Sequence, residues 1–187
     1  MTVSMLFYTG STTKTFTASI LSLLVDDNET FPHVQWSTPI AHLDAIYGAR
    51  TVISNVIDYA KWAKAIINRE TLLSKPGSEA LFTLRTLMPI QDPFMGPQAY
   101  ALGWQTDVYE GDRFFGHSGG MSGFGAELLI FLDIKFSIVA LVNTAGTSKF
   151  ADQTLAFHLA EKPGLKAEEK FDWTKKRVFI LSTVRNN

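Results

Sequence analysis

The stretch from Ala101 to Asn143 constrains the fold more than any other part of the chain. Four segments, Ala101 to Tyr109, Arg113 to His117, Ala126 to Leu132 and Phe136 to Asn143, are short runs rich in aliphatic and aromatic residues. Glu110-Gly111-Asp112 and Asp133-Ile134-Lys135 between them are turn-like. Strands joined by links this short pair antiparallel, so the segment predicts a meander. The residues from Leu128 to Val142 are apolar enough to raise the question of a membrane span. Asp133 and Lys135 interrupt them near the middle, and two strands joined by a turn account for them better.

Helical patterns flank the meander. Asn55 and Asp58 stand in capping-box spacing, with Asn in place of the usual Ser or Thr, at the head of a helix running to Asn68. Val56, Tyr59, Ala60, Ala63, Ile66 and Ile67 form its apolar stripe. A short helix is predicted from Gly77 to Leu87 and another from Thr147 to Glu161. Met88 to Gln98, with Pro89, Pro93, Gly96 and Pro97, predicts a loop, and Phe31 to Ile40 reads as irregular. The run Phe16 to Leu24 has the composition of a buried helix, and Asp26-Asp27-Asn28-Glu29 reads as its solvated end. After Pro163 the chain is charged and without a clear period, with Val178 to Leu181 as one segment able to pack. No internal repeat or low-complexity tract is present. The expected class is α/β of the α+β type, an antiparallel sheet flanked by helices, in a single domain over residues 1–187.

Composition narrows the possible functions. The chain is 46% hydrophobic and 12% aromatic, which supports a real core, and its net charge of -1 offers no general attraction to nucleic acid or an anionic membrane. It has no cysteine, which excludes disulfides and thiolate metal sites. His33, His42, His117 and His158 show no ligand spacing, so neither a metal nor a cofactor is expected. The glycines near His117 lead into a strand, not a helix, and no Gly-Lys-Ser/Thr follows, which argues against a phosphate loop. The first residues lack a basic n-region and Lys14 breaks the apolar stretch, so no signal peptide is expected, and no transmembrane segment is evident.

The chemistry concentrates at Ser11-Thr12-Thr13-Lys14. At the start of a helix, residues three apart share a face and can touch. A serine hydroxyl is a weak nucleophile until a neighbour takes its proton. Lysine can do so if its pKa is lowered, and both burial and the positive end of a helix dipole lower it. Ser11 is therefore a candidate nucleophile and Lys14 its base. The bare spacing also fits a capping serine followed by a solvated lysine.

The context favours the first reading. The string from Phe7 to Ala18 resembles the nucleophile region of the serine β-lactamase and penicillin-binding-protein superfamily, closest to its class C-like branch. Gly116-His117-Ser118-Gly119-Gly120 resembles the His-x-Gly element that esterase-like branches carry on a strand lining the site. Its continuation into two apolar strands is also similar to the family. Among relatives, the chain is most similar to the β-lactamase-related hydrolases of filamentous fungi. The resemblance implies a β-lactamase/transpeptidase-like fold and acyl transfer through a Ser11 acyl-enzyme on an ester, peptide or β-lactam. It implies Lys14 as base, His117 as assisting group, and Ser118, Gly119 and Gly120 as substrate-binding and oxyanion residues. The oxyanion donors would be the backbone N–H groups of Ser11 and Gly120. Taken alone, such glycines mark a turn or a bulge and a lone histidine is structural.

One family element is missing. None of Tyr8, Tyr47, Tyr59, Tyr100 and Tyr109 begins a Tyr-x-Asn or Tyr-x-Ser pattern. The helical insert that carries this pattern is expected to be deleted, with the join near Ala41 to Tyr47, leaving a shortened domain. Tyr8 and Tyr47 are the first candidates to stand in. The apolar face behind Phe16, Ile20 and Leu24 is expected to be partly bare, and a sheet edge to be unpaired. Alternative readings stay open at this level: an inactive remnant or binding protein that keeps the scaffold, or an incomplete copy of a longer hydrolase. The expected partner is a small-molecule or peptide acyl substrate, with oligomeric state unknown.

Overall fold

Six strands build one antiparallel sheet in the order β3-β4-β5-β6-β7-β8. They are β3 (Thr86–Leu87), β4 (Ala99–Tyr100), β5 (Gln105–Tyr109), β6 (Asp112–Met121), β7 (Phe124–Phe131) and β8 (Phe136–Val142). The computed structural model describes residues 2–27, 47–69, 73–90, 94, 96–121, 123–143 and 148–161. β1 (Phe7–Tyr8) pairs antiparallel with β2 (Ile53–Ser54) in a separate two-stranded ribbon. The helices are α1 (Thr13–Asp26), α2 (Tyr47–Arg50), α3 (Val56–Asn68), α4 (Lys75–Phe82) and α5 (Ser148–Ala160), and a single 3₁₀ turn, Gly10–Thr12, precedes α1.

The long apolar run of β7 is explained by burial on both faces. Leu128 and Ile130 face one core with Tyr59, Ala63 and Ile66 of α3, Leu81 of α4, Trp104 and Phe115. Leu129 and Phe131, one residue out of phase, face a second core with Phe114, Ile138 and Ala156 and Phe157 of α5. Helices therefore cover both faces of the sheet, as the expected fold class requires. No described helix is long and apolar enough to cross a membrane.

Helix α3 forms as predicted. Asn55 caps it by accepting the Asp58 N–H at 2.9 Å, while its own amide donates to the Asp58 carboxylate at 2.8 Å. Tyr59, Ala63 and Ile66 carry its buried face, and Ala60, placed in the stripe by periodicity, is exposed.

Several sequence expectations need correction. The helix expected from Gly77 to Leu87 ends at Phe82, because Thr86 and Leu87 pair with Tyr100 and Ala99 as a strand. The strand expected from Ala101 to Tyr109 begins only at Gln105, as β5; Ala101 to Trp104 form the tight turn from β4, in which the Ala101 N–H donates to the Trp104 carbonyl at 2.8 Å. The glycine cluster lies inside β6, which runs on to Met121. Helix α1 is not buried all round: Ile20, Leu21 and Val25 are exposed, 58%, 43% and 63% respectively. Phe16, expected on the bare face, stacks on Trp62 with ring centroids 3.9 Å apart and packs edge-on to Tyr59. Among the described residues β8 is an edge strand, paired with β7 alone. The expectations for Asn28, Glu29, Phe31 to Ile40, the join at Ala41 to Ile46 and Val178 to Leu181 lie outside the described residues.

Asp26 and Asp27 end α1 at the surface as expected, and Asp26 also holds a partner that the sequence did not announce. Its carboxylate accepts from the Ser74 N–H at 2.7 Å and the Ser74 hydroxyl at 2.6 Å, and that hydroxyl caps α4 by accepting the Gly77 N–H at 3.0 Å. One carboxylate thus ties the end of α1 to the start of α4. These hydrogen bonds hold the Asp26 carboxyl below its ordinary range. A depressed carboxyl contributes stability that is present above its unfolded pKa and is lost as pH falls through the folded one. Asp26→Ala is therefore expected to lower the thermal midpoint at pH 7, with the gap to the parent closing as the pH is lowered through the carboxyl range. A gap that is constant with pH would contradict the assignment.

Candidate active site

The turn that carries Ser11 is held by threonines. Thr9, Thr12, Thr13 and Thr15 are all buried, and each hydroxyl is satisfied. Thr9 donates to the Val52 carbonyl at 2.9 Å, and the Thr13 hydroxyl accepts the Val52 N–H at 3.1 Å. Thr12 donates back to the Thr9 carbonyl at 2.9 Å and meets the Tyr59 hydroxyl, and Thr15 donates to the Thr12 carbonyl at 2.7 Å. A buried hydroxyl is costly unless bonded, so this network fixes one geometry for the turn. Gly10 enters it with φ +54, and a Cβ there would lie 2.5 Å from the Gly120 nitrogen.

Ser11 and Lys14 are brought together as the spacing predicts. The Lys14 Nζ donates to the Ser11 Oγ at 2.7 Å. Burial pushes the Lys14 amine below its ordinary value, and the positive charge of Arg50 at the end of α2 pushes it the same way. The Arg50 contribution was not legible in the sequence, since only folding brings α2 to the start of α1.

His117 lies on the same side of the sheet as Phe115 and is buried at 7% exposure. Pairing between β5 and β6 stops at Gln105 and Gly116, so beyond Gly116 the β5 side of β6 lies open. The strand is internal to the sheet, and only this stretch behaves as a site-lining edge. Ser11, Gln105, His117, Ser118, Gly119 and Gly120 border one cleft of about 370 Å3. Every residue expected at the site on sequence grounds is at this cleft except Lys14, which contacts it through Ser11. Lys14 borders a second, apolar cleft of about 490 Å3 with Thr17, Ala18, Leu21, Tyr100 and Leu102.

Both ring nitrogens of His117 are engaged. Nδ1 is 2.6 Å from the Ser118 carbonyl, and Nε2 is 3.0 Å from the Tyr100 hydroxyl. Tyr100 is the tyrosine the fold delivers to this histidine, and sequence reasoning missed it, because the two residues meet across three strands. Tyr8 instead packs against the Phe124 ring, centroids 5.8 Å apart. The Tyr47 side chain lies outside the described residues. Gln105, also missed, reaches the cleft because it sits where the β5 pairing ends. No described cluster of His, Asp and Glu could hold a metal ion.

An antiparallel sheet with helices on both faces, a Ser-x-x-Lys turn and a glycine-lined strand define the β-lactamase class of fold. The Beta-lactamase family model matches residues 29–161, and the chain belongs to that family. The match begins downstream of Ser11, so Ser11 and Lys14 join the family's strand through geometry. A protein named Unguisins hydrolase ungD' from Aspergillus campestris is 40% identical over 139 residues, covering 73% of this chain and 26% of that protein. Unguisins hydrolase ungD from Aspergillus violaceofuscus is 36% identical over 173 residues, covering 84% of this chain and 30% of that protein. The chain thus spans under a third of the length of these relatives. The octameric penicillin-binding protein homologue from Pyrococcus abyssi aligns with a TM-score of 0.53 at 24% identity, over 62% of this chain and 26% of that one, a likeness of fold.

The close approach of β6 to the Ser11 turn gives a direct test. A Cβ on Gly119 would lie 2.0 Å from the Thr9 carbonyl oxygen. Gly119→Ala forces two backbones apart and is expected to cost about 1–3 kcal/mol, as overpacking does. Denaturant unfolding measures this, and a variant as stable as the parent would show that the strand does not cross the turn as described.

Proposed function

We propose that this chain is a serine hydrolase domain that transfers an acyl group to water through Ser11. The observation that carries the reading is the 2.7 Å contact between Lys14 Nζ and Ser11 Oγ, with the amine pushed toward its neutral form. A neutral Lys14 takes the Ser11 proton as Oγ attacks the substrate carbonyl. The oxyanion that forms is received by the backbone N–H groups of Ser11 and Gly120. Close packing of Gly120 against Gly10 supports this pairing of donors. Collapse expels the leaving group, which takes up the proton held by Lys14, and leaves an ester on Ser11. Water then attacks that ester and gives a proton to Lys14, which passes it to the departing Ser11 Oγ as the acid is released. His117 is the assisting group on the strand side of the cleft, with Ser118 and Gly119 shaping the substrate-binding edge.

The substrate is an ester, a peptide amide or a β-lactam, and no cofactor enters the scheme. The names of the two Aspergillus relatives make unguisins the first substrates to try. The competing reading, a scaffold without turnover, draws on the absent Tyr-x-Asn or Tyr-x-Ser pattern.

Covalent labelling separates them. A fluorophosphonate probe should attach to the folded chain at Ser11, as located by peptide mass spectrometry, and Ser11→Ala should abolish it. Lys14→Arg keeps the charge but cannot accept a proton, and should reduce the labelling rate at least about 100-fold, the low end for a general base. Labelling that survives Ser11→Ala, or none in the folded parent, would overturn the assignment.

A further inference from the structure

Two side-chain pairs bridge the polar and apolar clefts. In each, one member borders each space: Ser11 and His117 the polar cleft, Lys14 and Tyr100 the apolar one. The first pair is the proposed nucleophile and base. The second has a defined internal chemistry of its own.

Tyr100 is held from both sides. Its carbonyl accepts the Arg85 N–H at 3.0 Å, and across β4 and β5 it stands opposite Gln105, which stands opposite Gly116. Its neighbours Ala99 and Ala101 are buried. The phenol reaches the His117 ring directly, edge-on at 87° with centroids 5.9 Å apart. A carbonyl oxygen can only accept, so the 2.6 Å contact with Ser118 requires the proton on Nδ1. In the neutral ring Nε2 is then a bare acceptor, and the Tyr100 hydroxyl donates to it. Burial pushes the Tyr100 phenol above its ordinary value, so it stays protonated and remains a donor.

We infer that Tyr100 is a positioning residue for His117: it holds the imidazole in one orientation, as the tautomer with its proton on Nδ1 and Nε2 occupied by the phenol. His117 therefore meets a substrate as a fixed ring whose nitrogens are already committed. The catalytic meaning of this rests on the hydrolase reading above, but the structural statement does not, and the two fail separately.

The test is nitrogen-15 NMR of histidine-labelled protein, with His117→Asn used to assign the His117 signals. The parent should show a proton on Nδ1 and a hydrogen-bonded, unprotonated Nε2. In Tyr100→Phe the Nε2 signal should move toward the position of an unbonded pyridine-type nitrogen, with the thermal midpoint recorded to confirm folding. Replacing Tyr100 with 3-fluorotyrosine keeps the shape and makes the phenol a stronger donor, so the signal should move the opposite way. This second variant decides the matter if the phenylalanine variant does not fold. A parent proton on Nε2, or a His117 spectrum indifferent to both replacements, would overturn the inference. Where Ser11-dependent turnover is measurable, Tyr100→Phe should lower kcat about 10-fold with a smaller change in KM, the equivalent of one hydrogen bond. An unchanged His117 spectrum with normal Ser11 labelling would remove the role of Tyr100 and leave the hydrolase reading intact. A perturbed spectrum without labelling would do the reverse.

Discussion

Everything at the site depends on two stretches of backbone crossing within contact distance. The β6 glycines pass over the turn Thr9–Ser11 so closely that neither Gly10 nor Gly119 has room for a methyl group. No side chain separates the strand from the Ser11 turn, so the cleft between Ser11 and His117 is shaped by main chain, which cannot rotate away. The threonine network on one side and the β6–β7 pairing on the other hold the two stretches in place. Backbone held this way is preorganised, the property on which the proposed oxyanion stabilisation rests.

The sheet and the site share one cause. Because β5 stops pairing at Gly116, the next residues of β6 have an open flank, and the cleft forms there. Because β7 is buried on both faces, β6 cannot shift without disturbing both cores. The site is thus mounted on a rigid interior strand rather than a loop, and the fully buried Trp104 and Tyr59 lie behind it. Tyr59 also reaches Thr12, so the helix α3 stripe read from periodicity is connected to the Ser11 turn.

Local signals were legible and distant ones were not. The Asn55 cap, the β7 and β8 strands and the Ser11–Lys14 contact each depend on residues a few positions apart, where spacing carries geometry. The Gly77 to Leu87 and Ala101 to Tyr109 readings failed because tertiary pairing, not propensity, decided where α4 ends and where β4 gives way to β5. Arg50, Tyr100 and the Asp26–Ser74 tie act across the fold, and nothing in the spacing of a single sequence announces them. The family resemblance identified the strand carrying His117, and the structure added that both its nitrogens are engaged.

The protonation state of Lys14 is where the account stands or falls. Burial and Arg50 both disfavour its ammonium form. Heteronuclear NMR can follow the Lys14 Nζ signal through a pH titration of the folded chain, with Lys14→Arg identifying the resonance. The account predicts a midpoint displaced below the ordinary lysine value of about 10.4. A Lys14 that titrates at or above that value in the folded protein would be an ordinary charged side chain, and Ser11 would have no base.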